Sequence, residues 1–165
     1  MDPIKVAIAG GGVALAIGGG IGISMISSSP WTLEQALDND KIAQSEKTNY
    51  TDGSKLSVFG DNKKVLVADI EENESWWNAR YKEKLEKLKD KTTNRASSSE
   101  FLAVNKGYSS DEGDVLTALN KVCDASYKKE KTEFNGAEGS SNKVKYREDI
   151  GKFCTLKGTE VLQIE

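Results

Sequence analysis

The feature that most constrains this chain is an uncharged, glycine-rich run near its start, VAIAGGGVALAIGGGIGISMI, residues 6–26. As a helix it is about 31 Å long at about 1.5 Å per residue, which matches the roughly 30 Å hydrocarbon thickness of a bilayer. Glycine is tolerated in such a helix because no water competes for its backbone hydrogen bonds. The run therefore predicts a transmembrane signal anchor. A cleaved signal peptide is the alternative, but its apolar region is normally shorter.

The same glycines raise a second alternative, a dinucleotide-binding loop. Gly10 and Gly12 take the first two places of G-x-G-x-x-G, but Leu15 stands in the third. No second strand ending in an acidic residue follows, as that fold requires. The sequence therefore favours a transmembrane helix over a dinucleotide-binding loop.

Flanking charges predict the orientation of the span. Lys5 and the free amine precede it, whereas Glu34, Asp38 and Asp40 come before the first following cation, Lys41. The positive-inside rule then places the amino terminus in the cytoplasm and the rest outside the cell membrane. We expect a cytoplasmic stub (1–5), the span (6–26), a linker (27–34) and an extracytoplasmic domain (35–165).

Small residues recur every fourth position within the span. Such a row lets two helices approach closely in lipid and associate weakly. A chain this rich in glycine also produces the spacing by chance. The candidate association face consists of Gly10, Ala14, Gly18 and Gly22.

Charge and composition exclude several classes of function for the outer part. The chain has 26 acidic and 23 basic residues and no histidine. This balance argues against nucleic-acid binding, which needs a basic patch. A histidine base and a histidine metal ligand are excluded. We expect no catalytic, metal-binding or cofactor-binding residues and no cofactor.

Periodicity predicts a mainly α fold for the outer domain. Helices are expected over residues 31–37, 71–91, 111–126 and 142–155. A short β-hairpin is expected from β-rich residues 56–59 and 65–70 around the turn Gly60-Asp61-Asn62.

The clearest predicted helix, 71–91, carries a tandem Trp76-Trp77. Trp77 shares a face with Tyr81, Leu85 and Leu88 and is expected to be buried. One face cannot hold both rings, so we expect at least one ring near the surface as a possible contact. The alternative is that both rings cover the core from adjacent angles.

The only cysteines, Cys123 and Cys154, lie on apolar faces near the ends of two predicted helices. Val115, Leu119 and Val122 share the first face; Tyr146, Ile150 and Phe153 share the second. Two cysteines in an exported domain favour a disulfide, although buried free thiols are the alternative. A catalytic cysteine would lack a histidine base.

Several short motifs follow the span: W-T-L-E-Q-A-L, W-W-N-A-R-Y-K, a helix ending L-x-x-V-C, and a final Y-x-x-x-I-x-x-F-C-T. In this architecture the chain resembles the paralogous families of short, single-span proteins of haemotropic mycoplasmas. Those relatives commonly have Trp before the last cysteine, where this chain has Phe153. The resemblance implies a membrane-tethered protein of a wall-less, blood-cell-attached bacterium, and implies no reaction.

The sequence therefore predicts a membrane-anchored surface protein that acts as a binding or interaction module. Its expected partners are the bilayer and a host or neighbouring surface protein. The alternatives are an extracytoplasmic enzyme that uses carboxylates, and a membrane assembly element that acts through the glycine-rich span.

Overall fold

The computed structural model describes residues 29–89, 97–135 and 141–164. Over these ranges the protein is mainly α-helical and contains no β-strand, only four isolated β-bridges. None of the helices described there is long and apolar enough to cross a membrane. The predicted span 6–26, with Gly10, Ala14, Gly18 and Gly22, lies outside the described residues.

The first half of the domain contains three short helices and one long helical run. The short ones are α1 (Leu33–Asp38), α2 (Thr48–Thr51) and α3 (Asn62–Val65). The long run joins a 3-10 turn (Glu71–Asn73), α4 (Glu74–Arg80), a π-helix (Tyr81–Glu86) and α5 (Lys87–Lys89).

The second half contains three α-helices and two 3-10 turns. In order they are α6 (Ser99–Ala103), a 3-10 turn (Glu112–Asp114), α7 (Leu119–Tyr127), a 3-10 turn (Lys131–Phe134) and α8 (Asn142–Phe153).

Helix α1 is fixed at both its cap and its buried face. Thr32 forms a capping box with Gln35, which satisfies two backbone amides at the helix start. The buried face consists of Leu33, Ala36 and Leu37. The packed domain therefore begins inside the range where the sequence suggested a linker.

The predicted β-hairpin does not form, and α3 begins at Asn62, the last residue of its expected turn. Asn62 is buried, and its side-chain amide donates to the carbonyl oxygens of Leu56 and Gln163, each at 2.8 Å. Residues 66 and 67 pair through isolated bridges with Thr155 and Thr32 rather than with residues 56–59. Residues 66 and 67 therefore pair with segments near the two ends of the described domain.

The predicted helix 71–91 matches the long run through Lys89. Trp77 and Leu85 are fully buried, and Tyr81 and Leu88 pack partly buried against the same core. The π-helical turn carries Leu85 on its inner side.

Helix α8 matches the prediction for 142–155, but the predicted helix 111–126 is only partly present. Its regular part begins at Leu119. Before it, the backbone of Thr117 accepts hydrogen bonds from the amides of Asn105 and Lys106, so this segment pairs with a neighbouring loop. Val115, expected on the buried face, is 45% exposed.

Candidate functional site

The two cysteines form a disulfide between the inner faces of α7 and α8. Their Cα atoms are 5.6 Å apart, inside the range that a disulfide requires. Both residues are fully buried. The hydroxyl of Tyr127 donates to the carbonyl oxygen of Cys154 at 3.2 Å and to that of Val67 at 2.9 Å. The bond therefore lies in the packed core, as a structural cross-link would.

Both tryptophans of the tandem are buried, which fits the alternative that both rings cover the core from adjacent angles. Trp77 is 0% exposed and its indole nitrogen donates to the carbonyl oxygen of Ala68 at 3.1 Å. Trp76 is 7% exposed and lies edge-on against Trp77, with ring centroids 4.8 Å apart. The guanidinium of Arg80 covers the Trp76 ring at 4.5 Å. A cation therefore shields the face that the helix would otherwise present to water.

A polar cleft of about 540 Å³ lies beside α7. It takes its side chains from the loop after α1, from α2, from residue 69 and from the outer face of α7. Charges of both signs line this polar cleft: the carboxylates of Glu46, Asp69, Glu112 and Asp124, and the amines of Lys41, Lys121 and Lys128.

The inner end of the polar cleft is built around Asp124. The Tyr50 hydroxyl donates to Asp124 Oδ1 at 2.6 Å, and Lys128 Nζ lies 2.7 Å from Asp124 Oδ2. Burial, followed by the charge of Asp124, raises the pKa of the Tyr50 hydroxyl far above its ordinary value. Tyr50 is therefore a neutral hydrogen-bond donor. Burial also raises the pKa of Asp124, against the opposing effect of Lys128.

The outer end of the polar cleft is built around Lys121. Its Nζ lies 3.3 Å from Asp69 Oδ2 and 3.0 Å from Glu112 Oε1. Burial alone would lower the pKa of Lys121, but the contacts with Glu112 and Asp69 outweigh it and raise the pKa. The Asn120 amide donates to Asp69 Oδ1 at 2.6 Å. Asp69 and Glu112 are thus each already bound to Lys121. A general base, by contrast, needs a carboxylate that is free to accept a proton from the substrate.

An apolar groove of about 470 Å³ lies along α7 beside the polar cleft. We define the apolar groove by Ala103 of α6, Val115 and Leu116 before α7, Val122 and Ala125 of α7, and Tyr146 of α8. It shares Val115 and Ala125 with the polar cleft. The two depressions are therefore neighbours on one surface.

Large aliphatic side chains stand exposed beside the apolar groove. Leu116 is 69% exposed and Val115 45%. The turn that carries Val115 and Leu116 is held in place, because the amides of Thr117 and Ala118 donate to the carbonyl oxygen of Asp114 at 2.9 and 3.0 Å. Clustered exposed aliphatic residues around a concave surface are typical of interaction sites.

A third depression, of about 770 Å³, separates α8 from the carboxyl-terminal residues 158–164. The tail approaches α8 so closely that a Cβ at Gly151 would lie 2.5 Å from the carbonyl oxygen of Glu160. Arg80 donates to the carbonyl oxygens of Thr155 and Leu156 at 3.0 and 2.7 Å, which fixes the start of the tail. This depression is therefore a gap left where the tail packs against α8.

In the described parts of the chain, no three acidic or cysteine side chains are grouped closely enough to hold a metal ion. Comparison of the chain with protein-family models, with curated proteins and with solved structures finds no match. Sequence reasoning missed the apolar groove. The sequence signal that could have indicated it is the aliphatic pair Val115-Leu116, which directly follows an acidic turn.

Proposed function

We propose that this chain is a single-span surface protein that presents a disulfide-linked helical binding module outside the cell membrane. The anchor is the predicted transmembrane helix 6–26, with residues 1–5 in the cytoplasm. The buried disulfide supports the external location, because such bonds persist mainly in oxidising compartments. The motifs shared with the single-span families of haemotropic mycoplasmas support the same architecture.

The apolar groove is the observation that carries the binding role. Large contiguous apolar patches are uncommon on monomeric soluble domains and often mark contact sites. Here Val115 and Leu116 project from a well-bonded turn beside a depression floored by Val122 and Tyr146. A host or neighbouring surface protein that inserts an apolar side chain there would bury this surface. The polar cleft next to it supplies charged groups at the edge of the same contact.

The experiment compares one substitution inside the groove with one outside it. The full chain is reconstituted into fluorescent phosphatidylcholine vesicles, which are then incubated with erythrocytes. We expect vesicles with the wild-type chain to bind, and Leu116→Asp to lower the binding at least about tenfold. That factor corresponds to about 1.4 kcal/mol, well within the range for a central apolar contact.

The matched control is Val161→Asp, which changes an aliphatic residue that is 92% exposed and lies in the tail. It should bind like the wild type. Equal loss in both variants would argue for a nonspecific effect of the added charge. Binding no stronger than that of protein-free vesicles would contradict a host-cell partner.

The alternative of a carboxylate enzyme has one observation in its favour, because Asp69 and Asp124 line the same polar cleft. Lys121 and Lys128 neutralise these two groups. We therefore favour the binding module over a hydrolase and propose no reaction.

A further inference from the structure

The chain enters the domain at Trp31, whose backbone forms three hydrogen bonds with Asn73 and Ala68. The Trp31 amide donates to Asn73 Oδ1 at 2.8 Å, and the Asn73 side-chain amide donates back to the Trp31 carbonyl oxygen at 2.9 Å. The Ala68 amide donates to the same carbonyl oxygen at 3.1 Å. Asn73 is 1% exposed, so this contact belongs to the core. The point of attachment is therefore well defined.

Only four residues, 27–30, separate the predicted span from this attachment point. Five Cα-to-Cα steps reach at most about 18 Å when fully extended. A domain of roughly 130 residues has a radius of gyration of about 14 Å, so its diameter exceeds the length of the connection. The domain cannot turn over on so short a connection. The edge that carries Trp31 must then face the bilayer.

The chemistry of this edge suits the membrane–water interface. The Trp31 ring is half-buried and packs against the core, with its remaining surface open to solvent. Lys41 Nζ lies 5.5 Å from the centroid of that ring and forms an ion pair with Glu72 Oε1 at 2.6 Å. Tryptophan is enriched at the level of lipid headgroups, and a lysine stem covers apolar surface while its amine stays in a polar layer.

We propose that the edge formed by Trp31 and Lys41 docks onto the phospholipid headgroup layer of the membrane that holds the chain. The proposal rests on the anchor at residues 6–26. Headgroups extend about 5–7 Å beyond the hydrocarbon, so Trp31 lies within about 12 Å of their outer surface even at full extension. Lys41 also lines the polar cleft, so the side of the cleft that carries Lys41 is the one nearest the membrane.

The test uses the three tryptophans of the chain as probes. The full chain is reconstituted into phosphatidylcholine vesicles in which some lipids carry a nitroxide on the choline headgroup. The nitroxide quenches nearby tryptophan fluorescence. We expect clear quenching in the wild type and loss of at least about two thirds of it in Trp31→Phe. Trp76→Phe, which changes a ring that is 7% exposed, should keep the wild-type quenching.

Flotation of the vesicles separates failure of this proposal from failure of the anchor. A chain that floats with the vesicles but shows no quenching overturns the docked edge and leaves the anchor intact. Quenching that survives in Trp31→Phe and disappears in Trp76→Phe overturns the choice of edge. A full-length chain that does not float overturns both the anchor and the docking.

Discussion

At the residue scale, Asp149 is the most unusual group in the domain. It is fully buried in α8, and its Oδ2 accepts a hydrogen bond from the Ser98 amide at 2.7 Å. Its Oδ1 has no hydrogen-bond partner and lies 3.8 Å from Lys152 Nζ. Burial raises the pKa of Asp149 to about 6, against the opposing effects of the Ser98 amide and Lys152. Glu148 is the other nearby charge and raises the pKa further.

This raised pKa predicts how Asp149→Asn changes stability. The folded pKa of about 6 lies above the value of about 3.9 for an aspartate in an unfolded chain. Between these values the folded state binds more protons than the unfolded state. The contribution of Asp149 to stability is therefore highest below about pH 4 and falls as the pH rises to about 6. A neutral asparagine avoids this loss. We expect Asp149→Asn to raise the free energy of unfolding by about 1–2 kcal/mol at pH 7.5.

Denaturant unfolding from pH 4 to pH 8 measures this effect. The gain from Asp149→Asn should shrink towards zero as the pH falls to about 4. Asp38→Asn is the control, because Asp38 is exposed at the end of α1 and forms no ion pair within the described residues. It should leave the pH profile unchanged. A variant at position 149 that loses stability equally at every pH would contradict the argument.

At the element scale, the disulfide joins the two best-formed helices of the second half. Cys123 and Cys154 are 31 residues apart in the sequence. In the chain-entropy model, a cross-link over a loop of this length stabilises the fold by about 3.7 kcal/mol. For a domain of this size that energy corresponds to roughly 10–15 °C in Tm.

We therefore expect the double variant Cys123→Ala with Cys154→Ala to melt roughly 10–15 °C below the wild type under oxidising conditions. Adding a reductant to the unfolded wild type before refolding should have a similar effect and should leave the variant unchanged. Calorimetry of both proteins measures the shift. An identical Tm with and without the bond would show that α7 and α8 are held by packing alone.

The sequence predicted the longer elements because their signals are local. The spacing of Trp77, Leu85 and Leu88 along 71–91 defines one helix face, and that face is the one buried. The same holds for Tyr146, Ile150 and Phe153 of α8. The cysteine pair followed from the same inward faces.

The sequence did not predict the elements whose structure depends on distant partners. Asn62 follows a turn pattern in the sequence, yet its side-chain amide binds Gln163, about a hundred positions away: Nδ2 donates to the Gln163 carbonyl oxygen, and Oδ1 accepts from the Gln163 amide. The segment before α7 follows a helical pattern, but its backbone pairs with residues 105 and 106. Such long-range hydrogen bonds outweigh the local preference for a helix or a turn, and they produce no periodic pattern in the sequence.

The apolar groove could not be predicted from the sequence for the same reason. The apolar groove exists only where α6, α7 and α8 converge, and Tyr146 forms part of it although its own helix face reads as ordinary core. Val115 fits the buried face of a continuous helix by its spacing. Its exposure follows from the late start of α7 at Leu119.

At the scale of the whole molecule, the described residues form one packed unit with the apolar groove and the polar cleft beside α7. The hydrophobic cluster includes side chains from α1 through residue 164. Arg80 joins the first half to the tail, and the disulfide joins α7 to α8. We expect such a core to open as one unit, so cleavage within it from outside a cell should require prolonged or partly denaturing treatment.

The anchor and its orientation give the last prediction. The uncharged run 6–26 follows Lys5 and precedes an acidic flank, so we expect the full chain expressed in a bacterium to sediment with membranes. It should resist extraction by high salt and by alkali.

Protease applied to intact cells under mild destabilising conditions should degrade the outer domain. Cys123 and Cys154 should remain unlabelled by a thiol reagent after denaturation unless a reductant is added first. A chain protected from protease in intact cells, with both thiols labelled, would reverse the predicted orientation. A chain released by salt or alkali would contradict the transmembrane anchor itself.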